Sequence, residues 1–267
     1  MAALYERGAA KVYATARDPR SITHPDAVPL ALEVSDPASV EAAAARAQDV
    51  TVLINNAGAA VNADFLDSPV EDVRREFETN FYGPLLVTRA FVPILELNGG
   101  GHLLNVHSVL SWVGLAGSYS ASKAAFWSQT NSLRLGLGPR GIEVTGLHVG
   151  WVDTDMAAGV DAPKSTPEGV AAQALDGIES GALEVLADDI SRQVKAGLSG
   201  GLGGALPAAH RLRRASWAAS SVRLLPERSS RAPVAPWPGT RGPPRPEGIP
   251  IGFPCRRRAV ASPHGHD

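Results

Sequence analysis

Apolar residues fall into two alternating patterns over the first 195 positions. Short β-rich runs at 11–16, 28–34, 50–54, 102–107, 142–148 and 183–186 are separated by longer stretches of helical spacing. The run at 50–54 is apolar but for Thr51, which predicts a strand covered on both faces. Residues before Gly8 end as a helix does, with glycine at the stop. Further helices are predicted at 40–47, entered through Asp36-Pro37, and from Ser68 to about Asn80, with Ser68 as N-cap and Pro69 at the first helical position. A helical stretch continues to Leu97, where Asn98-Gly99-Gly100-Gly101 ends it. Another spans 119–137, stopped by Gly138-Pro139, and a last one spans 167–179, capped by Thr166. Strands alternating with helices mean βαβ units with right-handed crossovers, hence an α/β fold with a doubly wound parallel sheet. Ligands of such sheets sit beyond the carboxyl ends of the strands. Arg17, Glu33, Asn55, Ser108 and Gly150 all lie at or just past a predicted strand end.

Composition adds a division. The 267 residues carry a formal net charge of −2, so the whole chain makes no electrostatic case for nucleic acid or an anionic membrane. One cysteine, Cys255, excludes an internal disulfide and fits a reducing compartment. The first residues are too few and too charged for a signal peptide, and no apolar run approaches the roughly 20 residues that span a bilayer. A cytoplasmic location is expected. Beyond about residue 195 the pattern stops: lysine disappears in favour of arginine, and Pro, Gly and Ser dominate, as in Pro233-Val234-Ala235-Pro236-Trp237-Pro238-Gly239. The division expected is a folded domain at 1–195 and a disordered Pro/Arg/Gly-rich tail at 196–267. The abrupt change is that of a frame-shifted end. Arg256-Arg257-Arg258 also suggests a nucleic-acid arm, but interleaved aromatics and a binding fold are missing, so nucleic acid is not expected as a partner.

The chemistry centres on Ser118-Tyr119-Ser120-Ala121-Ser122-Lys123. On a helix, positions i and i+4 share one face, which puts the Lys123 ammonium beside the Tyr119 phenol. A cation there favours phenolate and draws the tyrosine pKa from about 10 toward working pH, where a general acid/base is most useful. A lone Tyr-x-x-x-Lys is common and usually a surface pair. Here Ser108 stands upstream and Asn55-Asn56-Ala57-Gly58 further back.

These pieces occur in order: Val12-Tyr13-Ala14-Thr15-Ala16-Arg17, Leu32-Glu33-Val34-Ser35-Asp36, Val52-Leu53-Ile54-Asn55-Asn56-Ala57-Gly58, Asn80-Phe81-Tyr82-Gly83, Leu104-Asn105-Val106-His107-Ser108, the Tyr119/Lys123 pair, and Gly146-Leu147-His148-Val149-Gly150-Trp151-Val152-Asp153-Thr154. Together they resemble the short-chain dehydrogenase/reductase family over roughly residues 1–195. The resemblance implies a Rossmann-like sheet and an oxidoreductase moving a hydride between NADP(H) and a small carbonyl or secondary alcohol. By resemblance Tyr119 is the acid/base, Lys123 tunes it and holds the nicotinamide ribose, Ser108 binds the substrate oxygen, and Asn80 orients a water that relays protons to Lys123. Glu33 and Val34 match the pair at adenine; Asn55, Ala57 and Gly58 pass close to the cofactor; Gly150, Val152 and Thr154 match the segment that fixes the carboxamide. No metal ligands are implied.

Several positions depart from the family pattern. Ser108 and Tyr119 are eleven residues apart, about two fewer than members show, and Ser111 is the other hydroxyl nearby. Neighbouring His107 is titratable near neutrality, although alternation along the strand turns it to the sheet's other face. Ala16 replaces the acid by which NAD enzymes hold the ribose 2′-hydroxyl, and Arg17 suits a 2′-phosphate. This favours NADP, with NAD as the other possibility and a solvated Arg17 paired with Asp18 as the plain alternative. Trp151 either walls the substrate pocket or packs beneath its loop. No Gly-rich turn precedes residue 11. In the family's strand order the strand before that turn lies between the runs at 11–16 and 50–54, and its absence leaves two edges unpaired. Either the true start lies upstream, or the chain is a non-catalytic truncated fragment that binds no dinucleotide. The resemblance also implies a homo-oligomer paired through the helices at 70–80 and 119–137.

Overall fold

Six strands and seven helices follow one another in the computed structural model, which describes residues 1–200; the expected tail beyond Gly200 lies outside the described residues. In chain order these are α1 (Ala2–Glu6), β1 (Tyr13–Ala16), β2 (Val28–Ala31), α2 (Pro37–Arg46), β3 (Val52–Asn55), α3 (Val70–Phe77), α4 (Gly83–Leu97), β4 (Gly101–Val106), α5 (Gly117–Leu137), β5 (Ile142–His148), α6 (Pro167–Glu179), β6 (Glu184–Leu186) and α7 (Asp189–Gly197). All the pairings are parallel, as the alternation predicts. They form two sheets: β1 with β2, and β3-β4-β5-β6. Strands β1 and β3 therefore each end a sheet.

Both faces of the larger sheet carry apolar layers. On one side Leu103 and Val144 meet Phe91, Ile94 and Leu95 of α4 and, further out, Val40 and Ala43 of α2. On the other, Leu104, Leu147 and Val149 meet Ala174 of α6. Caps start the helices where the sequence places them: the Asp36 carboxylate accepts from Ala38 N (3.1 Å), and Thr166 Oγ1 accepts from Gly169 N (3.1 Å).

Four expectations need correction. Strand β3 is not covered on both faces: Leu53 and Asn55 are buried, but Val52 and Ile54 are more than a third exposed. It is the end strand of its sheet, and its Ile54 side lines a cavity instead of meeting a helix. Ser68 does not cap α3; its hydroxyl accepts from Asp64 N (2.9 Å) in the preceding turn, and Pro69 occupies the N-cap. Helices α3 and α4 are joined by a π turn over Glu78–Tyr82. Pro84 lacks the N–H that would close the α ladder onto the Asn80 carbonyl, so the chain widens there. Helix α7, absent from the sequence reading, carries the fold past residue 195; Asp188 caps it by accepting from Ser191 N (2.8 Å). No helix among the described residues is long and apolar enough to cross a membrane.

Candidate active site

The carboxyl ends of β3, β4 and β5 open onto a cavity of about 830 Å3. Its wall takes Asn56, Ala57 and Gly58 from the loop after β3, and Ser108 from the end of β4. Helix α5 contributes Tyr119 and Lys123, and the segment after β5 contributes Gly150, Trp151, Val152 and Thr154. Residues more than 90 positions apart thus share one pocket because parallel strands deliver their C-terminal ends to the same edge.

A short turn decides which serine reaches Tyr119. Residues Val109–Ser111 form one helical turn with Ser108 as cap, its hydroxyl accepting from Leu110 N (3.1 Å) while Ser111 Oγ accepts from Ser108 N (3.4 Å). This turn takes up the shortened spacing and brings Ser108, not Ser111, to the Tyr119 phenol. Their hydrogen bond lowers the phenol pKa, but burial outweighs it and the net shift is upward, with a smaller upward push from the Glu76 carboxylate. The expectation that Lys123 draws this pKa down is therefore corrected. Lys123 Nζ is 5.9 Å from the phenol ring centroid and donates to Val106 O (3.1 Å). Its own pKa is lowered to about 8 by burial. The phenol is held in its proton-bearing form.

Asn80 and Gly58 stand behind the pair. A Cβ on Gly58 would touch Asn80 Oδ1 at 3.4 Å and Lys123 Nζ at 3.6 Å. The Asn80 side chain is fully buried and clamps the backbone of Ala59 on both sides: Oδ1 accepts from Ala59 N (2.9 Å), and Nδ2 donates to Ala59 O (2.9 Å) and to Ser122 Oγ (3.0 Å). With both amide hydrogens committed, its side chain fastens the loop and has no hydrogen left to donate to a relay water.

The remaining sequence-derived residues divide. Asn55 turns inward, with Nδ2 donating to Asn105 Oδ1 (2.9 Å) and Thr88 Oγ1 (3.1 Å), so it ties β3 to β4 and α4; Asn56 takes its place on the cavity wall. Glu33 folds onto its own turn, Oε1 accepting from Ser35 Oγ (2.7 Å) and Ser35 N (3.1 Å), so its carboxylate is not directed at a ligand. Val34 packs against Gly83 at the start of α4. Arg17 is exposed at the tip of β1 and is not paired with Asp18, which Arg20 holds with Nη2–Oδ2 at 2.9 Å. Gly150 N donates to Asp188 Oδ2 (2.6 Å), and a Cβ at Gly150 would meet Ile190 Cγ2 at 2.7 Å. Val152 pairs with Ser165, and Thr154 is exposed at the rim. Trp151 does both things considered for it: it lines the cavity and packs on Val109, Val113 and Val194.

His107 is corrected as a neutral-range titrator. It is buried against Phe126 (4.6 Å between centroids) and His148 (4.9 Å), and burial holds its pKa well below the usual value. Two contributors were not read from the sequence: Asp188, detectable as an acid just before a helical pattern, and Glu76, whose place on an otherwise polar helix carries no such signal.

Comparison with known proteins agrees with this geometry. A family model described as short chain dehydrogenase matches residues 1–165. The chain belongs to the short-chain dehydrogenase family. An NADPH-dependent 1-acyldihydroxyacetone phosphate reductase of Schizosaccharomyces pombe is 36% identical over 156 residues, 55% of this chain and 52% of that protein. A short-chain dehydrogenase from Burkholderia cenocepacia, solved with NADP, is 38% identical with a TM-score of 0.72, covering 78% of this chain and 89% of that one. An NADPH-bound carbonyl reductase from chicken fatty liver is 31% identical with a TM-score of 0.55, covering 64% and 79%. The chain spans about half the length of the curated relatives it matches first.

Proposed function

We propose that the protein is an NADP(H)-dependent oxidoreductase that reduces a small, largely apolar carbonyl compound. The observation that carries this reading is Ser108, Tyr119 and Lys123 converging on one apolar-walled cavity, with Gly58 and Asn80 close behind Lys123. The residues present fit the two ends of a dinucleotide: Lys123, Val152 and Thr154 would hold the nicotinamide end, and exposed Arg17 would meet a 2′-phosphate with its planar fork. Once bound, that cofactor supplies the hydride. The protein's own part is to orient and to move a proton. Ser108 Oγ donates to the carbonyl oxygen as negative charge develops there, and Tyr119 Oη gives that oxygen its proton. At neutral pH the phenol carries the proton that reduction requires, and burial makes it a weaker acid than a free tyrosine. Trp151, Met156 and Val170 line the substrate side and offer few polar groups. The NADP-bound Burkholderia and chicken proteins and the NADPH-dependent yeast relative support the cofactor preference.

Replacing Tyr119 with Phe keeps the ring and removes the proton. Turnover of NADPH with small ketones and aldehydes is expected to fall by at least about a hundredfold, in line with the worth of a positioned general acid. Undiminished turnover overturns the mechanism. Cytoplasmic location and pairing of copies through α3 and α5 belong to the same proposal, supported by family membership alone.

A second reading is favoured by one observation: the sheet is divided between β1 and β3, and no Gly-rich turn stands next to β1 to cradle a pyrophosphate. On that reading the domain shares the family fold and binds no dinucleotide. Calorimetric titration with NADPH separates the two, since only the first gives saturable binding.

A further inference from the structure

Glu76 is fully buried in the last turn of α3, an unusual place for a carboxylate. Three donors converge on it. Oε1 accepts from Val61 N (2.8 Å) and Asn62 N (3.2 Å), and Oε2 accepts from the Ser118 hydroxyl. Ser118 is in turn locked to the same loop, its N donating to Ala63 O (3.0 Å) and its Oγ accepting from Ala63 N (3.1 Å). The loop needs this hold: Asn62 sits at φ +56°, and Gly117 at φ +48° lies where a Cβ would be 2.2 Å from Ala63 O.

The spacing shows what the network does. Glu76 and Asn80 are one turn apart on the same helix face, and so are Ser118 and Ser122 on α5. Glu76 grips Ser118, the residue before Tyr119; Asn80 grips Ser122, the residue before Lys123. Each also fastens the loop after β3, Asn80 at Ala59 and Glu76 at Val61 and Asn62. Two matched clamps thus set α5 against the loop that walls the cofactor side of the cavity.

We propose that Glu76 is a positioning residue of the reaction, fixing where Tyr119 stands by way of Ser118 and the loop at 61–63. The assignment rests on the oxidoreductase reading of the site, but its test does not. The Glu76 charge also reaches the phenol and favours its protonated form. The other groups facing the phenol are Ser108 just past β4 and Lys123 on its own helix, with His107 at the exit of β4 buried nearby against Phe126.

The experiment uses Glu76→Ala and Glu76→Gln in the full chain. The alanine variant leaves two buried backbone N–H groups without acceptors and releases Ser118. Its kcat is expected to fall about tenfold to a hundredfold, with KM for NADPH within about twofold, because a small displacement of the acid costs rate more than binding. The glutamine variant keeps one acceptor for the loop and offers an N–H to Ser118 Oγ, so it should recover most of kcat. With the charge gone, the phenol should ionise at lower pH. Ultraviolet difference titration reads this directly, Tyr119→Phe assigning the Tyr119 component among the four tyrosines. A Tyr119 titration unchanged in Glu76→Gln, or full kcat in Glu76→Ala, overturns the proposal. If wild type turns nothing over, the oxidoreductase reading fails alone, and the titration still decides for or against Glu76. If Glu76→Ala does not fold, Glu76→Gln decides by the same titration.

Discussion

Replacing Lys123 with Met should make the protein more stable while it removes activity. Lys123 is 4% exposed, and burial lowers its pKa from 10.5 to about 8. Between those values the unfolded chain binds a proton that the folded chain does not, so stability rises with pH through that window and the cost is complete below it. The span of the shift corresponds to roughly 3 kcal/mol against folding at pH 7, falling to roughly 1.5 kcal/mol near pH 9.5. Met fills a similar volume without charge. It gives up the bond to Val106 O, which is 3.1 Å long, and the approach to the Phe126 ring, with Nζ 5.6 Å from the centroid. Those losses are worth about 1–2 kcal/mol, leaving a net gain of about 1–2 kcal/mol at pH 7. Urea unfolding of both proteins at pH 7 and 9.5 is the assay. The variant should have the higher midpoint at pH 7, with the margin mostly gone at pH 9.5. An equal or lower midpoint at pH 7, or a margin that does not shrink with pH, refutes the reasoning that the buried ammonium is held at a cost for catalysis.

Two further substitutions test separate parts of the site. Arg17→Ala should raise KM for NADPH by about tenfold and leave KM for NADH nearly unchanged, since it removes a fork that only a 2′-phosphate engages; steady-state kinetics with both cofactors checks this, and equal effects on both remove Arg17 from cofactor choice. Gly150→Ala should destabilise by about 1–3 kcal/mol in urea unfolding, because the added methyl meets Ile190 Cγ2 at 2.7 Å and Asp188 Oδ2 at 3.0 Å, and an unchanged midpoint means the loop yields easily.

Much of this fold is legible in the sequence because its signals are local. The limits of β5 at Ile142 and His148, the cap at Thr166 and the stop at Asn98-Gly99-Gly100-Gly101 each depend on a few adjacent residues. Ser68 misled for the same reason: its neighbours have the form of a cap, yet Asp64 N claims its hydroxyl. The half-exposed face of β3 was illegible for a different reason. An apolar run records what a strand is suited to bury, whereas cover is decided by which elements reach it, and there Ile54 faces the cavity.

The site shows the same boundary more sharply. Which side chains meet was readable, since Ser108, Tyr119 and Lys123 come from strand ends and one helix face. Their protonation was not. Helical spacing alone makes Lys123 the cation that acidifies the phenol, but spacing is silent on desolvation, which raises Tyr119 and lowers Lys123 together. Both shifts favour the neutral phenol beside a weakened ammonium. That state depends on how completely α5 is pressed against the loop after β3, and therefore on the buried contacts of Asn80 and Glu76. Of these only Asn80 belongs to a motif. A carboxylate that meets backbone N–H groups fourteen and fifteen residues away leaves no periodic or compositional trace, so one of the charges that raise the phenol pKa belongs to a residue that only the folded chain reveals.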